Sequence, residues 1–449
     1  MKTYLFREIL EACHGEYHGD PAILDLPAAD IVIDSRNATP GSLYVPIIGE
    51  NHDGHAFLDA ARQNGAVLVL SDRPLASGPY ILVSDTRNAL QAIASCYRDK
   101  FTIPFIGLTG SAGKTSTKEM IASVLSSRYS VCKTPVNWNN ETGVPLTLFL
   151  LEEHHEVAVI EMGTNHFGEI DRLSAMVKPD ICLLINIGLA HIESFGSREG
   201  ILRGKTEMLS HMQPNGHVVV NGDDDLLRTI PGALRYGLDE QNDVRATEID
   251  PHGLLGTSFC ISYQGNSCKT NVPTPGIHSV SNALAAVSVG LLLGMELSEL
   301  AASVSEVSTL AGRMHQVSTP DYTIIDDSYN ANPTSMQAAI DVIAALPGRR
   351  VCILGDMREL GPASPRLHEE VGRYAAQSGV EQILCVGADS ESMFRAAQEV
   401  APDKARFFSS QESLLAVLPS FLHKGDTILV KASRGMHLEK TVQFLTEYR

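Results

Sequence analysis

Phe105-Ile-Gly-Leu-Thr-Gly-Ser-Ala-Gly-Lys-Thr-Ser116 is the stretch that decides the fold. An apolar run enters a glycine-rich turn, and the residues that follow, 114–128, carry apolar side chains at helical spacing. The stretch therefore predicts a strand, a loop and a helix in that order. Backbone N–H groups in such a loop and at the helix N-terminus can surround phosphates. The Lys114 ammonium would reach the β- and γ-phosphates and the Thr115 hydroxyl would bind Mg²⁺, so we predict an ATP site.

The loop departs from the strict phosphate-loop pattern, G-x-x-x-x-G-K-[ST], at one position. The pattern asks for glycine at 108, where this chain has Leu108, and its glycines are Gly107, Gly110 and Gly113. A glycine-rich turn with a chance Gly-Lys-Thr is the alternative interpretation. The order of strand, loop and helix favours the nucleotide site over that alternative.

Short apolar strings on both sides of the loop predict an α/β protein with three domains. Residues 1–100 alternate short strings with turn signals and form a small N-terminal α/β unit. Residues 101–312 predict a doubly wound parallel sheet, because strings that are apolar on both faces suit strands covered by helices. Residues 313–449 predict a second, Rossmann-like α/β sheet. The strands expected in the two larger units are 103–109, 157–162, 181–187, 217–221, 323–327, 351–355, 383–387 and 427–430.

Composition excludes several classes of protein. Lys plus Arg number 35 and Asp plus Glu number 53, which gives a net charge of −18 over 449 residues. A general nucleic-acid binder would instead show a basic stripe. A membrane span would need about 18 or more consecutive apolar residues, and the sequence has no such run. The eight cysteines are scattered without a C-x-x-C pair, which is typical of a reducing compartment, so we expect a cytoplasmic protein.

Candidate site residues lie near three of the expected carboxyl ends of strands, where ligands of open α/β sheets gather. Glu161 ends one predicted strand, Asn186 and His191 follow another, and Lys205 and Glu207 lie in the next helical stretch. A carboxylate and an imidazole beside a triphosphate are candidate Mg²⁺ ligands, although nitrogen is less usual for so hard a cation. Taken alone, His191 reads as an ordinary core or surface histidine and Lys205 as an exposed helical charge. Their grouping favours a site.

With these residues in view, the chain resembles the Mur ligase family over nearly its whole length. The family's glycine loop also lacks a glycine at the position of Leu108. The motifs that carry the resemblance are Thr109-Gly-Ser-Ala-Gly-Lys-Thr115, Asn139-Asn-Glu-Thr-Gly-Val-Pro145, Glu161-Met-Gly163, Asn186-Ile-Gly-Leu-Ala-His-Ile-Glu193, Lys205-Thr-Glu207, Asn221-Gly-Asp-Asp224, Pro275-Gly-Ile-His-Ser-Val-Ser-Asn-Ala283 and Gly312-Arg313.

The resemblance implies the step that joins D-alanyl-D-alanine to UDP-N-acetylmuramoyl-tripeptide through an acyl phosphate, in peptidoglycan precursor synthesis. Two C-terminal strings, Asp326-Asp-Ser-Tyr-Asn-Ala-Asn-Pro333 and Leu354-Gly-Asp-Met-Arg-Glu-Leu-Gly361, favour this step over the others of the family. Asp34-Ser-Arg36 resembles part of a uridine-binding N-terminal domain. Val430-Lys-Ala-Ser-Arg-Gly435 departs from the family's usual Lys-Gly-Ser-Arg at Ala432, which would be strained if that position needs φ > 0.

The resemblance also implies roles for individual residues. Lys114, Glu161, His191 and Lys205 are the implied catalytic residues, with ATP and two Mg²⁺ as the implied ligands. The implied metal ligands are Thr115, Glu161, His191 and Lys205, the last as a carbamate formed with CO₂. The implied ATP contacts are Gly107, Thr109, Gly110, Ser111, Ala112, Gly113, Lys114, Thr115, Ser116, Asn282, Arg313 and Asp327. The implied substrate contacts are Ser35, Arg36, Asn51, His52, Asn140, Thr142, Asn165, His166, Asn330, Asn332, Ser433 and Arg434.

Three other functions stay open at this point. The first is a neighbouring ligase, which adds an amino acid to the UDP-N-acetylmuramoyl-dipeptide, or a poly-γ-glutamate or folate-polyglutamate ligase. The second is a P-loop ATPase or kinase that acts as a switch. The third, a non-catalytic scaffold, is disfavoured because the implied catalytic residues are all present. We expect a monomer whose partners are the two small-molecule substrates, with no nucleic acid and no membrane span.

Overall fold

The computed structural model describes residues 2–49, 52–135, 137–308 and 312–447. They form two compact units. The first comprises Met1–Thr109, Leu125–Leu184 and Arg203–Val218, and the second comprises Gly110–Val124, Ile185–Leu202 and Val219–Arg449. No helix in the described ranges is both long and apolar enough to span a bilayer.

The N-terminal part of the first unit is a five-stranded sheet with three helices. The strand order is β1-β5-β4-β3-β2, in which β1 is antiparallel to β5 and the other pairs are parallel. The elements are α1 (Phe6–Cys13), β1 (Glu16–His18), β2 (Ile31–Val32), β3 (Leu43–Tyr44), α2 (Leu58–Gln63), β4 (Leu68–Ser71), β5 (Tyr80–Leu82) and α3 (Thr86–Arg98).

The strand before the glycine loop lies at the centre of a parallel group in the first unit, in the order β7-β8-β6-β9. All five residues of β6 are buried, as expected for a strand that is covered on both faces. This part of the chain contains β6 (Phe105–Thr109), α4 (Lys114–Leu125), β7 (Val131–Lys133), α5 (Gly143–Phe149), β8 (Val157–Glu161), α6 (Glu169–Val177), β9 (Ile181–Leu184), α7 (Ile192–Phe195) and α8 (Arg198–Thr206).

A strand group in the second unit follows α8. Strands β10, β11 and β12 pair in parallel, whereas β12, β13 and β14 form an antiparallel meander. The elements are β10 (His217–Asn221), β11 (Leu234–Gly237), β12 (Val244–Pro251), β13 (Thr257–Tyr263), β14 (Asn266–Val272), α9 (Ile277–Leu292) and α10 (Leu297–Ser305).

The C-terminal part of the second unit is a six-stranded sheet in the order β15-β16-β20-β17-β18-β19. Only β15 is antiparallel to its neighbour among these described strands. The elements are β15 (His315–Ser318), β16 (Tyr322–Asp327), α11 (Pro333–Ala344), β17 (Arg350–Gly355), α12 (Ser364–Gln377), β18 (Gln382–Val386), α13 (Ser390–Val400), β19 (Ala405–Phe408), α14 (Gln411–Leu415), β20 (Asp426–Lys431) and α15 (Glu439–Glu447).

The prediction of parallel α/β sheets is confirmed. Strand β10 has the predicted bounds, and β16, β17, β18 and β20 lie within one residue of theirs at each end. Ala432 is absent from the residues with positive φ, so it carries no left-handed strain. Its methyl group instead fills the space beside Gly355, where an added Cβ would come within 2.7 Å of it.

Arg98, at the end of α3, fastens the N-terminal sheet to the rest of the first unit. Its guanidinium is buried and donates to the carbonyls of Val177 (2.7 Å) and Lys178 (3.0 Å). It also stacks over the ring of Phe105, 3.9 Å from the centroid. Carbonyl acceptors and the aromatic face offset the desolvation of this buried cation, and that desolvation lowers the pKa of Arg98.

Candidate active site

The glycine loop after β6 is held by one asparagine from the segment that follows β9. Asn186 accepts the N–H of Ala112 with Oδ1 (2.9 Å) and donates to the carbonyl of Ala112 with Nδ2 (3.0 Å). The backbone carbonyl of Asn186 also accepts the N–H of Ser111 (3.1 Å). These three bonds fix the path of the loop, as a paired strand would.

Glycine is required at two positions of the loop for different reasons. A Cβ on Gly110 would lie 2.9 Å from Cβ of Ile185, so a larger residue would push the loop away from its support. Gly113 has φ +77°, a left-handed conformation that glycine adopts without a steric cost. Gly107 lies within β6 instead, where an added Cβ would be 2.5 Å from the Met162 side chain, so the structure places it in packing.

Side chains around the loop match the needs of a phosphate group. Lys114 Nζ lies 2.8 Å from the carbonyl of Gly110. The hydroxyl of Ser111 is buried, and no atom within the described ranges forms a hydrogen bond with it. Burying a hydroxyl without a partner is costly, so a bound acceptor such as a phosphate oxygen would satisfy it. The loop therefore fits the nucleotide that the sequence predicts.

The helix after the loop, α4, contacts two further predicted ATP residues of the second unit. Thr117 Oγ1 donates to Oδ1 of Asn282 from α9 (2.9 Å). Arg313 Nη1 lies 3.4 Å from the hydroxyl of Ser116. The structure thus brings Ser116, Asn282 and Arg313 to one helix, although they are far apart in the chain.

The carboxylate candidate is well ordered by its neighbours in the first unit. Glu161, at the end of β8, is 1% exposed and accepts from Asn139 Nδ2 (2.8 Å), while its N–H donates to Thr134 Oγ1 (2.9 Å). Lys205, near the end of α8, is 2% exposed. The alternative interpretation of Lys205 as an exposed helical charge is therefore wrong. In the second unit, His191 precedes α7 with φ +59°.

Two of the predicted metal ligands, one in each unit, are oxygen donors of the kind that binds Mg²⁺. No three His, Cys, Asp or Glu side chains among the described residues come together as a complete cage. Mg²⁺ at nucleotide sites is usually bound by one or two protein oxygens and completed by phosphate oxygens and water. The Thr115 hydroxyl and the Glu161 carboxylate supply oxygens of this kind.

The predicted uridine contacts that the structure describes, Ser35, Arg36 and His52, lie outside the strands of the N-terminal sheet. Arg36 is 86% exposed at its side chain and forms a fork with Asp34, Nη2 to Oδ2 at 2.6 Å. This bond lowers the pKa of Asp34 to about 2. Ser35 is buried and its carbonyl accepts from Asn64, whereas His52 is exposed. Asn51 lies outside the described residues.

The predicted muramoyl contacts in the first unit also form hydrogen bonds within the protein. Asn140 Oδ1 accepts the N–H groups of Thr142 and of Gly143, the first residue of α5. The N–H groups of Asn165 and His166 both donate to Oε2 of Glu169, at 2.6 and 3.3 Å. Asn140, Asn165 and His166 are exposed, which leaves them accessible to a substrate.

Glu207 is a residue of this region whose role the sequence does not reveal. Its carboxylate accepts the N–H of Gly168 at 2.9 Å from both oxygens and the N–H of Asp171 at 3.4 Å. It therefore caps α6 and fixes the turn that carries Asn165 and His166. The Lys205-Thr-Glu207 motif was the only available signal.

The two aspartates at the end of β16, Asp326 and Asp327, bind partners within the protein. Asp327 Oδ2 lies 2.5 Å from Nζ of Lys431 in the adjacent β20, and both side chains are largely buried. Asp326 accepts from Ser328 and from the N–H of Gly312. Burial lowers the pKa of nearby His278, which keeps this imidazole neutral.

The predicted dipeptide contacts follow the ends of β16 and β20. Asn332 caps α11 in a reciprocal pair with Ser335. Ser433 Oγ accepts the N–H of Arg358 (2.9 Å), and Asn330 Oδ1 accepts the N–H of Ala331. Cap and turn chemistry thus accounts for one hydrogen bond each of Asn332 and Asn330, whereas Ser433 binds distant segments, since its hydroxyl also donates to the carbonyl of Ala331 (3.4 Å). Each side chain can still make further hydrogen bonds.

Tyr329 joins two of the predicted arginines, and sequence reasoning missed it. The Arg313 guanidinium lies over its ring, 4.2 Å from the centroid, and that of Arg434 lies 5.0 Å away. Arg434 Nη1 also donates to the tyrosine hydroxyl (2.8 Å). Because Arg313 reaches Ser116, Tyr329 connects the helix after the glycine loop with the arginine predicted to bind the dipeptide.

Comparison with protein families matches most of the chain. Residues 29–98 match the Mur ligase family, catalytic domain; residues 108–290 match the Mur ligase middle domain; and residues 312–434 match the Mur ligase, glutamate ligase domain.

Curated relatives of similar length carry one name. A UDP-N-acetylmuramoyl-tripeptide--D-alanyl-D-alanine ligase of Escherichia coli (strain K12) is 35% identical over 458 residues, which covers 100% of this chain and 99% of the relative. The protein of that name from Bacillus subtilis (strain 168) is 36% identical over 427 residues, 93% of each chain.

Solved structures give the same result. Crystal structure I of MurF from Acinetobacter baumannii has a TM-score of 0.93 at 34% identity and covers 100% of this chain and 99% of its own. MurF ligase from Thermotoga maritima in complex with ADP has a TM-score of 0.84 at 28% identity, covering 94% and 97%. A Mycobacterium tuberculosis folylpolyglutamate synthase, at 15% identity and TM-score 0.65 over 80% of this chain, shares the fold.

Proposed function

The chain belongs to the Mur ligase family, and we propose that it joins D-alanyl-D-alanine to UDP-N-acetylmuramoyl-tripeptide with cleavage of ATP to ADP and phosphate. The observation that carries this proposal is the end-to-end similarity to relatives of that name, 35% identical over 458 residues. The glycine loop, with its buried Ser111 hydroxyl, supports the use of ATP.

The chemistry needs activation because a carboxylate is a poor electrophile. An oxygen of the tripeptide's terminal carboxylate would attack the γ-phosphorus, and the bond to ADP would break, giving an acyl phosphate. The amine of D-Ala-D-Ala would then attack the acyl carbon, lose a proton, and expel phosphate from the tetrahedral intermediate. Phosphoryl transfer of this kind depends on positioning and charge stabilisation. Lys114 and the loop N–H groups would supply these at the β- and γ-phosphates.

Further residues of the second unit would hold the nucleotide. We assign adenine contact to Asn282 and γ-phosphate contact to Arg313, since the structure brings both to α4. The remaining loop residues, Thr109 to Ser116, would surround the phosphates. Asp327 accepts from Lys431 Nζ with Oδ2 and from the N–H of Met314 with Oδ1, so it would reach the ribose through a remaining lone pair.

Thr115, Glu161 and His191 are the proposed metal ligands. When bound, two Mg²⁺ ions would neutralise phosphate charge and polarise the γ-phosphoryl group. In the protein itself, Asn139 and Thr134 hold Glu161 in one orientation, so that its carboxylate is already in place. Orienting a ligand in advance lowers the entropy lost on binding.

Lys205 is the proposed site of a carbamate. Its ammonium would first lose one proton, and the neutral amine would then attack CO₂, form an N–C bond and lose a second proton. A cation is thereby replaced by an anion able to support the second metal. At 2% exposure, Lys205 lies away from bulk solvent. We expect short carboxylic acids to restore part of the activity lost in Lys205→Ala. No recovery, together with a crystal structure showing an unmodified Lys205, would contradict the carbamate.

Substrate contacts are proposed on the three domains. Ser35, Arg36, Asn51 and His52 would bind the uridine nucleotide, and Asn140, Thr142, Asn165 and His166 the muramoyl peptide. Asn330, Asn332, Ser433 and Arg434 would bind D-Ala-D-Ala, because an arginine can hold a carboxylate with two parallel hydrogen bonds. We also propose that the protein is a monomer. Its eight free cysteines favour a reducing compartment, so we propose that it acts in the cytoplasm.

Product identification tests the assignment against the neighbouring ligase. The purified protein is incubated with ATP and either UDP-N-acetylmuramoyl-tripeptide or the corresponding dipeptide, each with D-Ala-D-Ala or with single amino acids. Mass spectrometry should detect a product only with the tripeptide and D-Ala-D-Ala. Extension of the dipeptide by one amino acid would instead assign the neighbouring reaction.

A further inference from the structure

The backbone of Ile187 is held at both its N–H and its carbonyl group. Its N–H donates to Oδ2 of Asp224 (2.8 Å). Its carbonyl accepts from Nε (3.2 Å) and Nη2 (3.1 Å) of Arg198. Arg198 is itself fixed by a two-point pair with Asp225, 2.5 Å to Oδ1 and 3.0 Å to Oδ2. An ordinary loop residue leaves these backbone groups to water.

Asp224 is held as firmly as the peptide it binds. Its second oxygen, Oδ1, accepts the N–H groups of Leu226 and Leu227, both at 3.0 Å. Its own carbonyl accepts the N–H of Arg228 (3.0 Å). Both carboxylate oxygens are therefore used, one within its own turn and one across to Ile187. This carboxylate belongs to the Asn221-Gly-Asp-Asp224 motif, which has no role in the proposed chemistry.

The clamped segment at Ile187 lies between Asn186, which supports the glycine loop, and His191, a proposed metal ligand. Asn186, directly before it, holds the glycine loop through Ala112 and Ser111. Gly188, directly after it, packs against Ser111, to which an added Cβ would come within 3.3 Å. His191 is four residues further along. A shift of the Ile187 peptide would therefore move the loop support at Asn186 directly, because the two residues share a peptide bond.

We propose that Asp224 and Arg198 are positioning residues for ATP: they hold the Ile187 peptide, and through it the asparagine that shapes the glycine loop. This inference rests on the proposed use of ATP at that loop. Neither residue needs to touch the nucleotide. Their loss should weaken ATP binding while leaving the affinity for the other two substrates unchanged.

The adjacent Asp223 provides a matched control. Its carboxylate also accepts three donors: the N–H groups of Leu238 (2.7 Å) and Asp239 (3.0 Å), and Asn242 Nδ2 (2.8 Å). These donors belong to the turn after β11, and none belongs to the loop support. Asp223→Ala and Asp224→Ala thus remove the same chemistry from neighbouring positions.

The experiment compares Asp224→Ala with Asp223→Ala in the full-length protein. We expect the dissociation constant of a fluorescent ATP analogue and the KM for ATP to rise about tenfold in Asp224→Ala only, as loss of one charge-assisted hydrogen bond predicts. The KM for D-Ala-D-Ala should stay within about twofold of the wild type. Equal ATP affinity in the two variants, or an equal rise in every KM, would overturn the proposal.

Arg198→Gln keeps the proposal testable if Asp224→Ala does not fold. Its side chain is 36% exposed, so its replacement spares the core. The control is Arg395→Gln, which removes an exposed pair with Glu391 on α13. We expect weaker ATP binding in Arg198→Gln alone, and unchanged binding would overturn the proposal. Equilibrium binding needs no turnover, so a wild-type protein that binds ATP but makes no product contradicts the proposed function and not this inference.

Discussion

The carboxamide of Asn186 pairs with both backbone groups of Ala112, accepting from its N–H at 2.9 Å and donating to its carbonyl at 3.0 Å. The two residues are 74 positions apart. The Asn186 side chain thus satisfies the backbone groups of Ala112, as an adjacent strand does in a sheet. Ala112 lies at the centre of the loop that we propose binds phosphate. The shape of this loop is therefore set before ATP arrives.

Replacement of Asn186 should weaken ATP binding. Asn186→Ala removes two hydrogen bonds worth about 1 kcal/mol each, so the KM for ATP should rise on the order of tenfold. Asn186→Asp should be worse, because a carboxylate cannot donate to the Ala112 carbonyl and would repel phosphate. Asn242→Ala, which loses one bond to Asp223, is the control and should leave this KM unchanged. Titration of an ATP analogue measures the effect, and equal affinities would rule out the loop support.

Tyr329 should couple the two arginines that flank it. Tyr329→Phe removes the hydroxyl that binds Arg434, so we expect a few-fold rise in the KM for D-Ala-D-Ala. Tyr329→Leu also removes the aromatic face under Arg313, worth about 0.5–1 kcal/mol, and should raise the KM for ATP as well. Tyr374→Phe, whose hydroxyl binds Asp341, serves as the control. Steady-state kinetics with each substrate varied in turn would show whether the two KM values separate.

Loss of Lys431 should destabilise the C-terminal sheet. Lys431→Met leaves Asp327, whose side chain is 14% exposed, without its cation, at a cost of about 3 kcal/mol. Native-state hydrogen exchange at the amides of β16 and β20 should then be on the order of 100-fold faster. Lys424→Met removes a pair in which Lys424 is 79% exposed and should change exchange little. Lys431→Met combined with Asp327→Asn should recover part of the loss, and exchange rates unchanged in Lys431→Met would contradict the account.

Acid should weaken the N-terminal sheet through Asp53. The backbone N–H of His55, with help from the Arg73 guanidinium, lowers the pKa of Asp53 to about 2. The folded pKa is thus below the unfolded value of about 3.9, so the stabilisation is present above that value and is lost as pH falls toward 2. Asp53→Asn should therefore lower the Tm at pH 7, by an amount that shrinks as the pH approaches 2. Asp59→Asn, at 93% exposure, is the control. A Tm difference independent of pH would contradict the assignment.

Local sequence predicted the elements whose signals are local. The buried strand β6, the glycine loop and β10 were all recognisable, because apolar strings and glycine spacing report directly on a covered strand and a tight turn. The antiparallel meander was missed. Its strand β14 reads Asn-Ser-Cys-Lys-Thr-Asn-Val, in which three residues are exposed and the four buried or half-buried residues do not alternate strictly with them. Such a strand is specified by its neighbours more than by its own residues.

The supports of the candidate site could not be predicted for a different reason. Asn186, Asp224 and Tyr329 each contact a residue that is 37 to 105 positions away in the chain. The identity of an asparagine or aspartate does not say which backbone it binds. The motif containing Asp224 was visible in the sequence, but its partner at Ile187 was not. Burial of Lys205 was likewise invisible, since a lysine on a helix is exposed in most proteins.

Phosphate release from ATP is the measurement that tests the central claim most directly. The wild-type protein is given ATP, Mg²⁺ and UDP-N-acetylmuramoyl-tripeptide, and release is followed with and without D-Ala-D-Ala. An amide-forming ligase should release phosphate continuously only when D-Ala-D-Ala is present, in equal amounts with the peptide product. Continuous release that is independent of D-Ala-D-Ala would contradict the ligase assignment and favour an ATPase.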